Sequence, residues 1–207
     1  MGRKTKITRE MILEAAYELL DESGIGAVAI KTIAARLGCS TQPVSWHFGS
    51  MTELKKELYV YASHRLYDRF YEAMSGRDAV EGFFVTGILY ISNACDHPNV
   101  FRFVNVDDPM LTIGEDMTGG ASIFTNQFDA GAVELLASAY DIDREILGRV
   151  VRDIVIYTHG LAVLMMFDNY RIGKKEACRM VFDTGITLLS SIGIDVGERK
   201  FEKIYVM

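Results

Sequence analysis

With 207 residues, of which 49% are hydrophobic and 24% charged, the chain can bury a sizeable core in one domain or two unequal ones, and its composition is not that of a disordered protein. The net charge of −6 hides an asymmetry: residues 1–57 hold eight Lys/Arg and seven Asp/Glu, whereas residues 58–207 hold fourteen and twenty-one. Only the N-terminal part, at +1 against −7 for the remainder, is expected to rest comfortably on a polyanion.

Apolar residues recur at helical spacing almost throughout, and three prolines offer few helix breaks, so the fold is expected to be all-α with about nine helices. Thr8 is the expected N-cap of a first helix that carries Ile12, Ala15, Ala16, Leu19 and Leu20 on one stripe and ends near Ser23-Gly24. A short second helix runs from about Ile30 to Leu37 and stops at Gly38. A third covers Ser40 to His47, with Pro43 tolerated in its first turn. Ser50-Met51-Thr52-Glu53 reads as a capping box opening a long fourth helix to about Met74. Further helical patterns cover roughly 78–95, 98–105, 121–140, 143–168 and 174–192, with 107–120 as the longest expected loop and residues 193–207 left without assignment.

Two short helices joined at Gly38-Cys39-Ser40 fit a helix-turn-helix, in which the second helix enters the major groove of DNA. The run Ile33-Ala34-Ala35-Arg36-Leu37-Gly38-Cys39-Ser40, followed by Val44-Ser45-Trp46-His47-Phe48-Gly49-Ser50 and Glu53-Leu54, resembles the N-terminal signature of the TetR family of transcriptional regulators. The resemblance implies a three-helix DNA-binding domain over 1–50, a connecting helix over 51–76, and a helical ligand-binding and dimerisation domain over 77–207. It implies that Val44 and Phe48 hold the recognition helix on its core while Thr41, Gln42 and Ser45 face the groove. Gln42 is equipped for bidentate contact with adenine. Trp46 and His47 stand where the family keeps an aromatic and a histidine near the DNA backbone, although Trp46 also reads as a core aromatic. Lys31 and Lys55 complete the expected contact set, and Arg3, Lys4, Lys6 and Arg9 read either as a phosphate-tracking segment or as a solvated tail.

Three positions depart from the family pattern. Ala29 lacks the usual N-cap hydroxyl, Ser45 replaces a tyrosine and Met51 a lysine. Modest affinity or unusual operator preference is the expected consequence, and the alternative is a dimeric helical ligand-binding or scaffold protein with weakened or lost DNA binding.

Beyond Gly76 the resemblance rests on His97-Pro98-x-x-Phe101-Arg102 and His159-Gly160-Leu161-Ala162, and implies the fold and dimeric state of one TetR subgroup. Independently of it, Ala177, Val181, Thr184, Leu188 and Ser191 or Ile192, with Met180 and Leu189, and Val151, Val155, Leu161 and Leu164 on the preceding helix, offer apolar surface for a homodimer. Gly160 and Gly185 would allow close approach there. A small, largely apolar effector is expected among Phe84, Phe101, Phe103, Phe124, Phe128, Tyr157, His159 and Met165. The same residue types also describe an ordinary core.

No P-loop, dinucleotide fingerprint, nucleophile elbow, HExxH or paired Cys/His cluster occurs, so no enzyme, cofactor or metal is expected. Asp96, His97, Asp107 and Asp108 read as caps and loop residues rather than metal ligands. Cys39, Cys95 and Cys178 are odd in number and far apart, as reduced thiols are. The uncharged stretch from Ile154 to Phe167 falls short of the roughly 18 residues of a membrane span. With no apolar leader in Met1-Gly2-Arg3-Lys4-Thr5-Lys6, a cytoplasmic protein that does not engage membranes is expected.

Overall fold

The computed structural model describes residues 7–117, 127–167 and 172–205. Among them are eleven α-helices, one 3₁₀ turn and no strand, and no described helix is long and apolar enough to cross a membrane. The chain divides into two compact units, 1–66 with 97–119, and 67–96 with 120–207.

The first unit begins with α1 (Arg9–Ser23), whose Thr8 hydroxyl accepts from the Met11 N–H at 3.2 Å. Ile12, Ala15, Ala16 and Leu20 of α1 are buried, joined by Tyr17 in place of the half-buried Leu19. A 3₁₀ turn (Ile25–Ala27) leads to α2 (Ile30–Arg36). The turn after α2 shows why a glycine stands there. Gly38, at φ +62°, donates to Ala35 O at 3.2 Å, and Cys39 N donates to Ala34 O at 3.0 Å, the paired bonds of a Schellman motif. Next come α3 (Gln42–Phe48) and α4 (Met51–Met74), the latter opened by a bond of 3.1 Å from Glu53 N to the Ser50 hydroxyl. Leu54, Leu58, Ala62, Leu66 and Phe70 form a buried stripe at four-residue spacing along α4, which supplies residues to both units.

Residues 97–119 return to this N-terminal unit. In them lie α6 (Pro98–Asn105) and a short α7 (Pro109–Thr112), which falls inside the stretch expected to be loop. Val100, Phe101 and Phe103 are buried, and the Phe103 ring meets Tyr59 of α4 edge-on, centroids 5.7 Å apart. At the start of α6 the His97 Nδ1 lies 3.0 Å from the Asp21 carboxylate and Asn99 Nδ2 donates to Asp21 O at 2.9 Å, fastening α6 to the end of α1.

The second unit is built around α5 (Ala79–Asp96), buried on nearly every side through Val80, Phe84, Val85, Ile88, Leu89, Ile91 and Ala94, as befits a central helix. Around it lie α8 (Gln127–Tyr140), α9 (Arg144–Met165) and α10 (Lys174–Ser191). Asp143 caps α9 by accepting from Glu145 N at 2.9 Å and Ile146 N at 3.1 Å. The unassigned C-terminal residues contain α11 (Phe201–Ile204), held through buried Phe201 and Ile204, Arg179 over the Phe201 ring, and an Arg199–Asp78 ion pair of 2.6 Å.

Two expectations for α9 and α10 need correction. Ala177, Val181, Leu189, Val151 and Leu161 are buried within the chain itself and leave nothing for a partner. Gly185 is likewise buried against its own chain, because an ideal Cβ there would stand 2.5 Å from Cε1 of Phe84. Of the expected apolar surface, Leu164 of α9 and Met180 of α10 are exposed, and Ile156 of α9 and Phe167 just after it are exposed beside them.

Candidate nucleic-acid interface

Helix α3 is seven residues long and has two characters. Val44 and Phe48, one turn apart, are 1% and 5% exposed and anchor it to the core. Thr41, Gln42, Ser45 and Trp46 are all exposed, and Lys31 of α2 is exposed as well. Trp46 is 77% exposed. That removes the core-aromatic alternative and leaves a large indole, with one N–H donor, in water beside the groove-facing positions. An exposed tryptophan flanked by a lysine, an amide and two hydroxyls suits a surface that meets both base edges and phosphates.

His47 and Lys55 are placed differently. The His47 ring stacks edge-on with Trp46, centroids 4.7 Å apart, and its Nε2 lies 3.1 Å from Ile7 O. Because that partner is a carbonyl, Nε2 carries the proton in this arrangement. Lys55 is half-buried, and its Nζ donates to Thr112 O at 2.8 Å, at the end of α7. Neighbouring Lys56 pairs with Glu53 at 3.1 Å and with Glu115 at 2.7 Å, and these carboxylates, Glu115 foremost, push its pKa up. Neither the Lys55–Thr112 bond nor the Lys56–Glu115 pair was visible in the sequence, because both partners lie nearly sixty positions away.

The frame that holds α3 is polar as well as apolar. Arg36 of α2 bonds Glu18 at 3.0 Å and Glu22 at 2.9 Å on α1, and holds the Glu22 carboxyl below its usual range. Arg9 donates from Nε to Glu57 of α4 at 2.7 Å and from Nη1 to His47 O at 2.6 Å, with its Nη2 also on Glu57. Its guanidinium lies over the Phe48 ring, 4.5 Å from the centroid. Thus Arg9 is fixed against α3 and α4 rather than part of a solvated tail, while Arg3, Lys4 and Lys6 lie outside the described residues. At the start of α2, Ala29 offers no oxygen, yet half of a reciprocal cap survives: the Thr32 hydroxyl accepts from Ala29 N at 3.1 Å.

The expected effector residues are divided between the units. Phe101 and Phe103 belong to the core of the N-terminal unit. Phe84, Tyr157, His159 and Met165 belong to the other, where Phe84 is packed 4.8 Å from Phe182, centroid to centroid. Phe124 and the Phe128 side chain lie outside the described residues. A polar pair of the second unit, both members of which the sequence offers as pocket candidates, is Tyr90 Oη with His159 Nδ1 at 2.8 Å. The remaining acidic and histidine candidates are engaged as structural residues: Asp96 pairs with Lys174, Asp107 with Arg102, and Asp108 caps α7. No cluster able to hold a metal ion occurs among the described residues.

Two short helices with a Gly38 turn, the second presenting polar residues and an aromatic outward, define a helix-turn-helix transcriptional regulator. Residues 12–58 match the bacterial regulatory proteins of the tetR family. The chain is 25% identical over 171 residues to the uncharacterized HTH-type transcriptional regulator Rv0681 of Mycobacterium tuberculosis, covering 80% of this chain and 73% of that one. It is 20% identical over 118 residues to the uncharacterized HTH-type transcriptional regulator YobS of Bacillus subtilis, covering 56% of this chain and 62% of that relative. Among solved structures, a TetR-like transcriptional regulator from Rhodococcus sp. RHA1 has the same fold, with a TM-score of 0.66 at 14% identity over 89% of this chain and 99% of the other. A substituted TetR from Acinetobacter baumannii, in complex with minocycline, gives 0.56 at 15% identity over 90% and 96%. The tetR-family match thus falls on the helix-turn-helix, from α1 to the first turns of α4.

Proposed function

We propose that this regulator is a homodimeric repressor that binds a two-fold operator through Lys31, Thr41, Gln42, Ser45 and Trp46, and is released by a small, largely apolar molecule. The observation that carries the reading is the two-sidedness of α3, with Val44 and Phe48 buried and every groove-facing candidate in water. His47 acts from behind the interface by fixing Ile7. Lys55 reaches phosphate only if it leaves Thr112 O. A two-fold dimer places two copies of α3 on half-sites about 34–36 Å, or a multiple of that, apart.

The dimer is proposed to form through Ile156, Gly160, Leu164 and Phe167, spaced by three and four residues along one side of α9, and Met180, Thr184, Leu188 and Ser191, spaced in the same way on α10. The effector site is proposed within the second unit near Tyr157, His159 and Met165, with the Tyr90–His159 pair as its polar element. A ligand that prefers one of two dimer states moves α4, and with it the separation of the two recognition helices.

Selection of duplexes from a random pool by the wild-type protein, followed by affinity measured against salt, tests the DNA reading. A recovered palindrome and a linear fall of log K with log salt are expected. A slope near zero sinks it and favours the scaffold alternative. Sedimentation of wild type and an Ile156→Asp, Leu164→Asp variant tests the dimer, which is expected to become monomeric with its helix content intact.

A further inference from the structure

We infer that Arg9 is the positioning residue of the recognition helix, a joint that fixes the end of α3 to α4, and that it does not act as a phosphate contact. Its three roles converge on one point. The last carbonyls of a helix have no partner within it, and Arg9 supplies one to His47 O at 2.6 Å, where a cation also meets the negative end of the helix. The remaining face of the guanidinium fork holds the Glu57 carboxylate through two nitrogens, the geometry that arginine offers and lysine does not. Its plane covers Phe48, the side chain that seats α3 in the core. His47 adds a second tie across the same corner by holding Ile7 O, two residues before Arg9.

The consequence is geometric. Thr41, Gln42, Ser45 and Trp46 ride on a helix of only two turns, too short to keep its own pose without tertiary support. Val44 and Phe48 supply burial, which resists lifting the helix but restrains its rotation weakly. The fork between His47 O and Glu57 is directional, and it ties the exposed face of α3 to the first turns of α4. The inference therefore rests on the reading that this face meets DNA. It adds that sequence discrimination, as distinct from phosphate attraction, depends on a residue outside the interface.

The test uses the full chain, its selected duplex and a shuffled duplex of equal length. Arg9→Gln, Arg9→Lys and Glu57→Gln are each expected to lower the ratio of specific to non-specific affinity by about tenfold, the scale of losing one charge-assisted hydrogen bond, with the salt slope unchanged. The double Arg9→Gln, Glu57→Gln variant is expected to be no worse than either single one. A phosphate contact would instead weaken both duplexes together and reduce the slope by about one, and that result overturns the inference. So does an unchanged ratio in Glu57→Gln, a variant that keeps the Arg9 charge and carries the test if Arg9→Gln fails to fold. Hydrogen exchange on the free protein separates this inference from the operator reading. The Ser45 and Gly49 amides should lose protection in Glu57→Gln while α9 and α10 do not change, whether or not any duplex is selected. Unchanged protection there overturns the joint by itself.

Discussion

Tyr90 Oη lies 2.8 Å from His159 Nδ1, a hydrogen bond that joins α5 to α9 in the middle of the second unit. The phenol can donate to this nitrogen or accept from it, according to the tautomer of the imidazole. Burial disfavours the imidazolium and lowers the His159 pKa below its ordinary value. A histidine depressed in the folded state binds fewer protons than in the unfolded chain, so its contribution to stability is whole above the ordinary value of about 6.5 and is lost as pH falls from there through the folded value. Urea unfolding between pH 8 and pH 5 should show wild-type stability declining more steeply than that of His159→Gln. Parallel curves would show that His159 does not carry the effect.

Gly185 and Phe84 make a second prediction. The ring edge occupies the space where a Cβ would stand, 2.5 Å away, so Gly185→Ala must displace a buried phenyl that also contacts Phe182. Overpacking of this kind costs about 1–3 kcal/mol. Combining the change with Phe84→Leu should give a double variant less destabilised than the sum of the singles, because the smaller side chain vacates the contested volume. Additive losses would mean that the two positions do not meet.

What the sequence disclosed follows the range of the forces involved. The helix-turn-helix was legible because apolar periodicity and the Gly38 turn are local devices, each realised within a few residues, and because the run from Ile33 to Leu54 resembles the TetR signature. The division of the aromatics was not. Phe101 and Phe103 follow α5 in the chain and look like its neighbours, yet residues 97–117 fold onto α1 and α4, a choice made by Asp21, Tyr59 and Lys55 far upstream. Gly185 was read as a site of close approach between two copies, but what fills the space there is a ring of its own chain. Arg9 looked like one of four cations in a tail, and only the fold reveals the carboxylate and carbonyl that claim it.

Ala29 offers a gain of stability. Its backbone is already extended, φ −141° and ψ 155°, as an N-cap requires, and only the side-chain oxygen is missing. In Ala29→Ser or Ala29→Thr the new hydroxyl can accept from Thr32 N while the Thr32 hydroxyl keeps the bond to residue 29 N, completing a reciprocal box. A stabilisation of about 0.5–1 kcal/mol is expected, read as a higher urea midpoint for the N-terminal unit. An unmoved midpoint would indicate that Thr32 alone satisfies this helix end.

Trp46 provides the most direct reading of the interface, because it is the single tryptophan in the chain and is 77% exposed. Free protein should emit as a fully hydrated indole. Titration with the selected duplex should move the emission to the blue or quench it, as the ring leaves water against the DNA, and the change should saturate at one duplex per dimer. A Trp46→Phe variant keeps an aromatic face but loses the N–H donor, whereas Trp46→Ala loses both. If the indole acts through a phosphate, both variants lose a similar amount of affinity, on the order of 1 kcal/mol, on specific and shuffled duplexes alike. If it packs on a thymine methyl, Trp46→Phe retains most of the affinity and replacing that thymine by uracil reproduces the loss. Unchanged emission on saturation with duplex would place Trp46 outside the interface and move the groove-facing role to Gln42 and Ser45 alone.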